Sequence, residues 1–225
     1  MCSIFDFKIS KKFLKDRFNI SLEQDISGRA HPYSLAPVII GNVNSSEYRL
    51  AHMNFSLVPH WSKEKKVKFA THNARLYGED KTPIFEKPSW KVPFTKNHCL
   101  VVMDSFLESV HDGPYAGNVI AFKNIDNSPL IAAGIYDQWL DTSTGEVLES
   151  FSILTHDPPK FVMDAGHDRC PVFLNKNASL RWPFINSSNP QAHLDFLLNN
   201  IENHQYTTSI DRPLKNYNGQ TEFKF

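Results

Sequence analysis

Cysteine is scarce in this chain: three residues, Cys2, Cys99 and Cys170, in 225. An odd, low count argues against a disulfide framework and suits a reducing compartment. Long apolar runs are missing too. No stretch of 18 or more apolar residues occurs, so no membrane span is expected. The opening residues alternate Lys and Asp with Phe and Ile and lack the apolar heart of a secretion signal. Only Met1 precedes Cys2, so no leader for lipid anchoring is expected. An excess of one charge is also absent, since 24 Lys and Arg balance 24 Asp and Glu. A polyanionic partner would have to be met by a local basic surface. No Cys-x-x-Cys or His-x-x-x-His pair offers metal-ligand spacing, and no Gly-rich phosphate loop appears. No metal and no other cofactor is therefore expected, and the expected state is a cytoplasmic monomer (nuclear in a eukaryote).

What is present is apolar and aromatic: 41% hydrophobic residues, 17 of the 225 being Phe. Residues 1–225 are long enough for one large domain with a buried core. Ser10 is placed to cap a helix carrying Phe13, Leu14 and Phe18. Short apolar runs read as strands at Ala36–Ile40, Cys99–Met103, Val119–Phe122, Leu130–Ile135 and Phe151–Leu154. Asp112-Gly-Pro, Asn127-Ser-Pro and Thr144-Gly mark turns between them. Asn177–Trp182 reads as a short helix, and a clearer one follows Asn189-Pro190 with Leu194, Leu197, Leu198 and Ile201 at helical spacing. Many strands with a few peripheral helices make an α+β class with a sheet-rich core.

The sharpest feature is the cysteine directly after the initiator. Removal of Met1 would leave Cys2 with a thiol, of reference pKa about 8.5, beside an α-amine of about 7.7–8.0. Such a 1,2-aminothiol condenses with an aldehyde through a Schiff base, which the thiol closes into a thiazolidine. On its own a cysteine at position 2 is more often incidental. Its company is three polar clusters beside apolar strands: Asn73-Ala-Arg75, Asp104-Ser-Phe-Leu-Glu108 and His167-Asp-Arg-Cys-Pro171. A carboxylate, an imidazole, a carboxamide and two guanidiniums suit aldehyde chemistry on a phosphate polymer. The densest basic stretch, Lys63, Lys65, Lys66, Lys68 and Arg75, is interleaved with Trp61 and Phe69.

In their order and spacing these blocks resemble the SRAP family, proteins that cross-link to abasic sites in single-stranded DNA. Met1-Cys2 matches the family's start. Tyr33-Ser-Leu-Ala-Pro37 is similar to Tyr-Asn-Ile-Ala-Pro, and Leu57-Val-Pro-His-Trp61 to Leu-Ile-Pro-x-Trp. Asn73-Ala-Arg75 matches Asn-Ala-Arg, and the strand ending at Glu108 resembles one ending Gly-Phe-Tyr-Glu. Ala133-Gly-Ile-Tyr136, Ile153-Leu-Thr155 and His167-Asp-Arg-Cys-Pro171 resemble Ala-Gly-Leu-Trp, Ile-Leu-Thr and His-x-Arg-Met-Pro. The resemblance implies twisted mixed and antiparallel sheets in a barrel-like core, and a groove for single-stranded DNA carrying an abasic site. It implies a lesion-protecting cross-link in the SOS response to DNA damage, with abasic-site lyase or self-processing peptidase activity attached.

Residue by residue, the resemblance makes Cys2 the nucleophile at C1′ of the sugar. Asn73 holds the Cys2 main chain or the deoxyribose, Glu108 shuttles protons, and His167 serves the sugar oxygen. Arg75, Arg169, Lys66 and Lys68 contact phosphate, while Trp61 and Pro37 touch bases or the strand. Ser3 and Ile4 replace the family's Gly-Arg, Ser109 replaces a Trp after the glutamate, and Leu76-Tyr-Gly replaces Ser-Glu. Those departures bear on DNA binding more than on chemistry.

Other readings stay open on the residues alone. A cysteine amidotransferase would also start with a nucleophilic Cys2, but the only Asn-Gly is Asn218-Gly219 and no Arg-Gly pair exists. A binding module without chemistry is the other rival. The plainer alternatives are a surface strand-end carboxylate for Glu108, a hydrogen-bonded loop residue for His167, a turn residue for Asn73 and a core anchor for Trp61.

Overall fold

The structure, a computed structural model, describes residues 4–215; Cys2 and the Asn218-Gly219 pair lie outside them. In chain order the elements are β1 (Ile4–Ile9), α1 (Lys11–Phe18), β2 (Ile26–Ala30), β3 (Leu35–Asn42), β4 (Glu47–Phe55), β5 (Asn73–Arg75), α2 (Lys91–Lys96), β6 (His98–Met103), β7 (Ser105–Val110), β8 (Asn118–Asn124), β9 (Leu130–Leu140), β10 (Val147–His156), α3 (Lys160–Asp164), β11 (Cys170–Pro171), α4 (Lys176–Arg181), α5 (Pro190–Leu198) and β12 (Tyr206–Pro213).

Five strands close into a barrel. β10 pairs with β4, β4 with β3, β3 with β6, β6 with β9, and β9 returns to β10. Every junction is antiparallel except β4–β10, which is parallel and brief, through Asn54 and Phe55. Beyond it β10 takes β5 as a second parallel partner, Ile153 opposite Asn73 and Thr155 opposite Arg75. Closure leaves the barrel no free edge along that ring. The second sheet runs β12-β8-β7-β1-β2, all antiparallel. Its two outer strands are tied by Arg29 of β2, which donates 2.6 and 2.9 Å bonds to Asp6 and bonds of 2.8 and 3.1 Å to Asp211 of β12.

One core joins the sheets. Phe5, Phe106 and Phe122 from the second sheet meet Val38, Met53, Val101, Phe151 and Ile153 from the barrel. Each fully buried Phe of this kind contributes roughly 1.5–3 kcal/mol through lost apolar surface. α1, α2, α4 and α5 cover the other side of the barrel, while α3 buries Val162 in the core between the sheets. Ser10 caps α1 by accepting from the Phe13 N–H at 3.1 Å, and Leu14 and Phe18 point inward. The second predicted helix begins at Lys176 rather than Asn177, because the Asn175 side chain supplies its cap. α5 stops at Leu198, so Ile201 is not its next turn. Ile201 instead forms an isolated bridge with Leu174.

α2 and α5 close over a buried imidazole pair. The His98 Nε2 and His193 Nδ1 protons both point to the Phe94 carbonyl, at 2.8 and 3.2 Å, and His98 stacks on Trp182 at 3.9 Å. Burial pushes the His98 pKa down to about 4. An unfolded chain binds a proton there near pH 6.5 while the native fold does not. Stability is therefore complete above about pH 6.5 and falls by up to about 3 kcal/mol as the pH drops toward 4. Urea melts at pH 7 and pH 4.5 should differ in that direction, and His98→Gln should flatten the difference.

Candidate active site

Strand alternation aims Phe106, Glu108 and Val110 of β7 at the core between the sheets. Glu108 is thereby fully buried, a position a carboxylate occupies only with partners. His167 supplies one: its Nε2 stands 3.0 Å from Glu108 Oε2. The imidazole is delivered by the end of α3. Gly166 N–H bonds to Met163 O at 2.9 Å and His167 N–H to Val162 O at 3.2 Å, the paired bonds of a Schellman motif with glycine in the left-handed position. The far side of the ring is equally constrained. Nδ1 lies 3.1 Å from the Arg169 carbonyl and 3.3 Å from the Arg169 N–H. Both contacts of Nδ1 are thus made by the backbone of one residue, and they hold the ring with Nε2 facing Glu108.

β5 brings in the second cluster. It alternates: Ala74 is buried in the core, and Asn73 and Arg75 face the other way. Together with Arg169 they line a cleft of about 570 Å³, walled also by Phe69, Lys87 and Trp90. Arg75 ion-pairs with Asp157 at 3.2 Å. Glu79 and Asp80 also border the cleft, so its rim is mixed rather than uniformly basic. Preceding Asn73, His72 is buried with its ring edge-on to Phe55 at 5.9 Å. Burial lowers its pKa, and the nearby Glu108 carboxylate opposes that shift. His167 faces Glu108 directly, and Asn73 lines the cleft with Arg169, the residue whose backbone meets the His167 ring.

The remaining expected residues are placed less uniformly. Trp61 is not a core anchor: half its surface is exposed, and its Nε1–H reaches the Pro88 carbonyl at 3.4 Å, beside Lys87 of the cleft wall. Lys68 is exposed on the same loop, while the Lys66 ammonium lies 5.0 Å over the Tyr33 ring. Pro37 is buried in β3 opposite His52 and does not line the cleft. Cys99 and Cys170 are buried, and burial raises both thiols, Cys170 to about 12, so neither is nucleophilic near neutrality. Ile4, which stands where the resembled motif has a basic residue, packs with Leu107 and Val119. Sequence reasoning missed His72, Lys87 and Trp90. His72 had a signal, being next to Asn73-Ala-Arg75; Lys87 and Trp90 had none. Among the described residues no cluster of three His, Cys, Asp or Glu is arranged to hold a metal, and no helix is long and apolar enough to cross a membrane.

A closed mixed barrel backed by a second sheet, with a buried carboxylate–imidazole pair and a cleft lined by two arginines, defines an α+β protein of one domain type. The chain belongs to the SRAP family: the family model described as SOS response associated peptidase matches residues 1–213. It is 28% identical over 226 residues to the abasic site processing protein YoqW of Bacillus subtilis (strain 168), covering 96% of each chain. With the abasic site processing protein HMCES of Pongo abelii it shares 29% over 223 residues, 82% of this chain and 61% of that one. A solved structure from Bacteroides thetaiotaomicron has the same fold, with TM-score 0.70 at 24% identity over 94% of this chain and 92% of that one. One from Bordetella bronchiseptica reaches 0.73 at 17% identity, over 94% and 100%.

Proposed function

We propose that this protein acts on abasic sites in single-stranded DNA, joining Cys2 covalently to the ring-opened sugar. The observation that carries the reading is the Glu108–His167 pair, buried at 3.0 Å and adjoining the cleft of Asn73, Arg75 and Arg169. Chain geometry supports Cys2 as its partner. β1 starts with Ile4 opposite Leu107, the residue before Glu108. Cys2 precedes that strand start by two residues of sequence, so chain length sets no barrier to the pairing.

With Met1 removed, the Cys2 amine adds to the C1′ aldehyde to give a carbinolamine. Loss of water leaves an imine, and addition of the thiol across C=N, sulfur to carbon and proton to nitrogen, closes the thiazolidine. The first steps need a proton taken from the attacking amine and one delivered to the departing hydroxyl. Glu108 and His167 hold and return those protons, the ring being held in place by its Nδ1 contacts to the Arg169 backbone. Opening of the sugar hemiacetal needs the same donor at the ring oxygen. Asn73 orients the sugar or the Cys2 main chain, and Arg75 and Arg169 take flanking phosphates.

The test uses protein with a free Cys2 amine, confirmed by intact mass, and a single-stranded oligonucleotide with one abasic site. A denaturing gel should show a slower band without any reductant. That band should be missing with undamaged DNA and with Cys2→Ala. No such band from protein shown to lack Met1 removes the covalent reading.

A further inference from the structure

We infer that Asp137 is a positioning residue, whose buried carboxylate fixes the turn that holds Trp61 out as a stacking platform for one nucleobase at the cleft's mouth. The inference rests on the single-stranded DNA reading above, with Trp61 meeting a base as the family resemblance implies, and adds the residue that holds Trp61 in place. Asp137 lies on β9, in the barrel wall, with its side chain 6% exposed. One oxygen, Oδ2, accepts from both the backbone N–H and the Nδ1 of His60, each at 2.9 Å; the other accepts from Gln138 N–H at 3.0 Å.

Two neighbours on the same hairpin grip the same turn. Ser150, cross-strand from Asp137, accepts from Val58 N–H at 2.8 Å, and the Trp139 Nε1–H donates to the Ser62 carbonyl at 2.7 Å. The backbone on both sides of Trp61 is thus tied to the barrel, yet its ring is 50% exposed with one long polar contact, to Pro88. A large apolar ring kept half in water on a rigid mount is a costly arrangement unless something covers it. What lies beside it selects the occupant. Lys87 and Arg75 of the adjoining cleft suit a phosphate backbone, and a flat aromatic face suits a base stacked between such phosphates.

An asparagine at 137 keeps the volume but offers a single acceptor oxygen. It satisfies either Gln138 or His60, and turns an N–H toward the other. The platform then loosens while the Glu108–His167 pair is untouched.

The experiment measures anisotropy of a labelled single strand, and the cross-linking rate against DNA concentration, for wild type, Asp137→Asn, Trp61→Ala and the double variant. Stacking of one base makes Trp61→Ala weaken binding about tenfold or more. Asp137→Asn should raise the half-saturating DNA concentration roughly three- to tenfold, with the saturated rate within about twofold of wild type. In the Trp61→Ala background the Asp137 substitution should have almost no further effect, which is the sign of one shared contact. His60→Ala, which keeps the backbone bond and loses the ring bond, should fall between wild type and Asp137→Asn and guards against a folding failure at 137. Equal losses from Asp137→Asn with and without Trp61, or no loss at all from either it or His60→Ala, overturn the inference. A wild-type protein that binds no single-stranded DNA overturns the functional reading beneath it instead.

Discussion

Glu108→Gln is expected to slow cross-linking at saturating abasic DNA by about 10²–10⁴-fold, the usual worth of a positioned proton-transfer group. The substitution suits the question because glutamine has the same shape. Its carbonyl can take the carboxylate's place facing His167 Nε2, so the pocket keeps its filling and its neighbour. What it loses is the ability to take a proton and give it back. Carbinolamine formation and dehydration both need that exchange, and in a site shielded from water no bulk buffer can substitute for it. The measurement is a single-turnover time course on denaturing gels. His167→Gln should produce a loss of similar size, and the double variant little more than either one, because the two groups handle the same protons. A Glu108→Gln rate within about threefold of wild type would leave Glu108 as a structural carboxylate.

Gly166→Ala is expected to destabilise the fold strongly. Gly166 has φ +93, a conformation L side chains rarely adopt, and an added Cβ would sit 2.2 Å from Asp112 O and 2.8 Å from Val110 Cγ1. The first contact is backbone and cannot turn aside. Backbone strain and forced separation together should destabilise the fold by roughly 2–4 kcal/mol, lowering Tm by about 5–15 °C for a chain of this size. The more telling effect is local. Gly166 immediately precedes His167, so pushing the α3 end off the β7–β8 loop draws the imidazole away from Glu108. Below the melting range the variant should still bind single-stranded DNA and cross-link slowly. Gly145 is the control: its φ is +76, and an added Cβ there would meet nothing within 4 Å. Gly145→Ala should therefore cost about 1 kcal/mol and leave the rate alone. Equal thermal losses in the two variants would refute the close-packing account.

Local signals made much of the fold legible. Ser10 caps α1, and Asn189-Pro190 opens α5, because capping depends on residues within one turn of each other. The strands that were found are those buried on both faces, such as β6 and the first half of β9, whose side chains form continuous apolar runs. Those that escaped have other patterns. β4, Glu47–Phe55, alternates polar and apolar with His52 and Asn54 among its residues, and β12 ends in Ile210-Asp-Arg-Pro. β5 is three residues long and exists because β10 offers it an edge where β4 stops. No window of sequence carries that information.

The site divides along the same line. Asn73, Glu108 and His167 were picked out by family-like blocks; the structure sets His167 against Glu108 and puts Asn73 on the cleft with Arg169. Pro37 was picked out in the same way, yet it lies buried in β3, because a motif records which residues recur and not which way each faces.

The sequence by itself determined the α+β class, the caps and turns, and the family, since each depends on residue identity at short range or on ordered motifs. Only the tertiary structure decided that Glu108 is wholly buried and met by His167 at 3.0 Å, that Asp137 ties down the Trp61 turn, and that Arg29 joins the two edge strands of the second sheet. These contacts link residues 59, 77 and 182 positions apart. They arise from barrel closure and the packing of two sheets, where distance along the chain no longer measures distance in space.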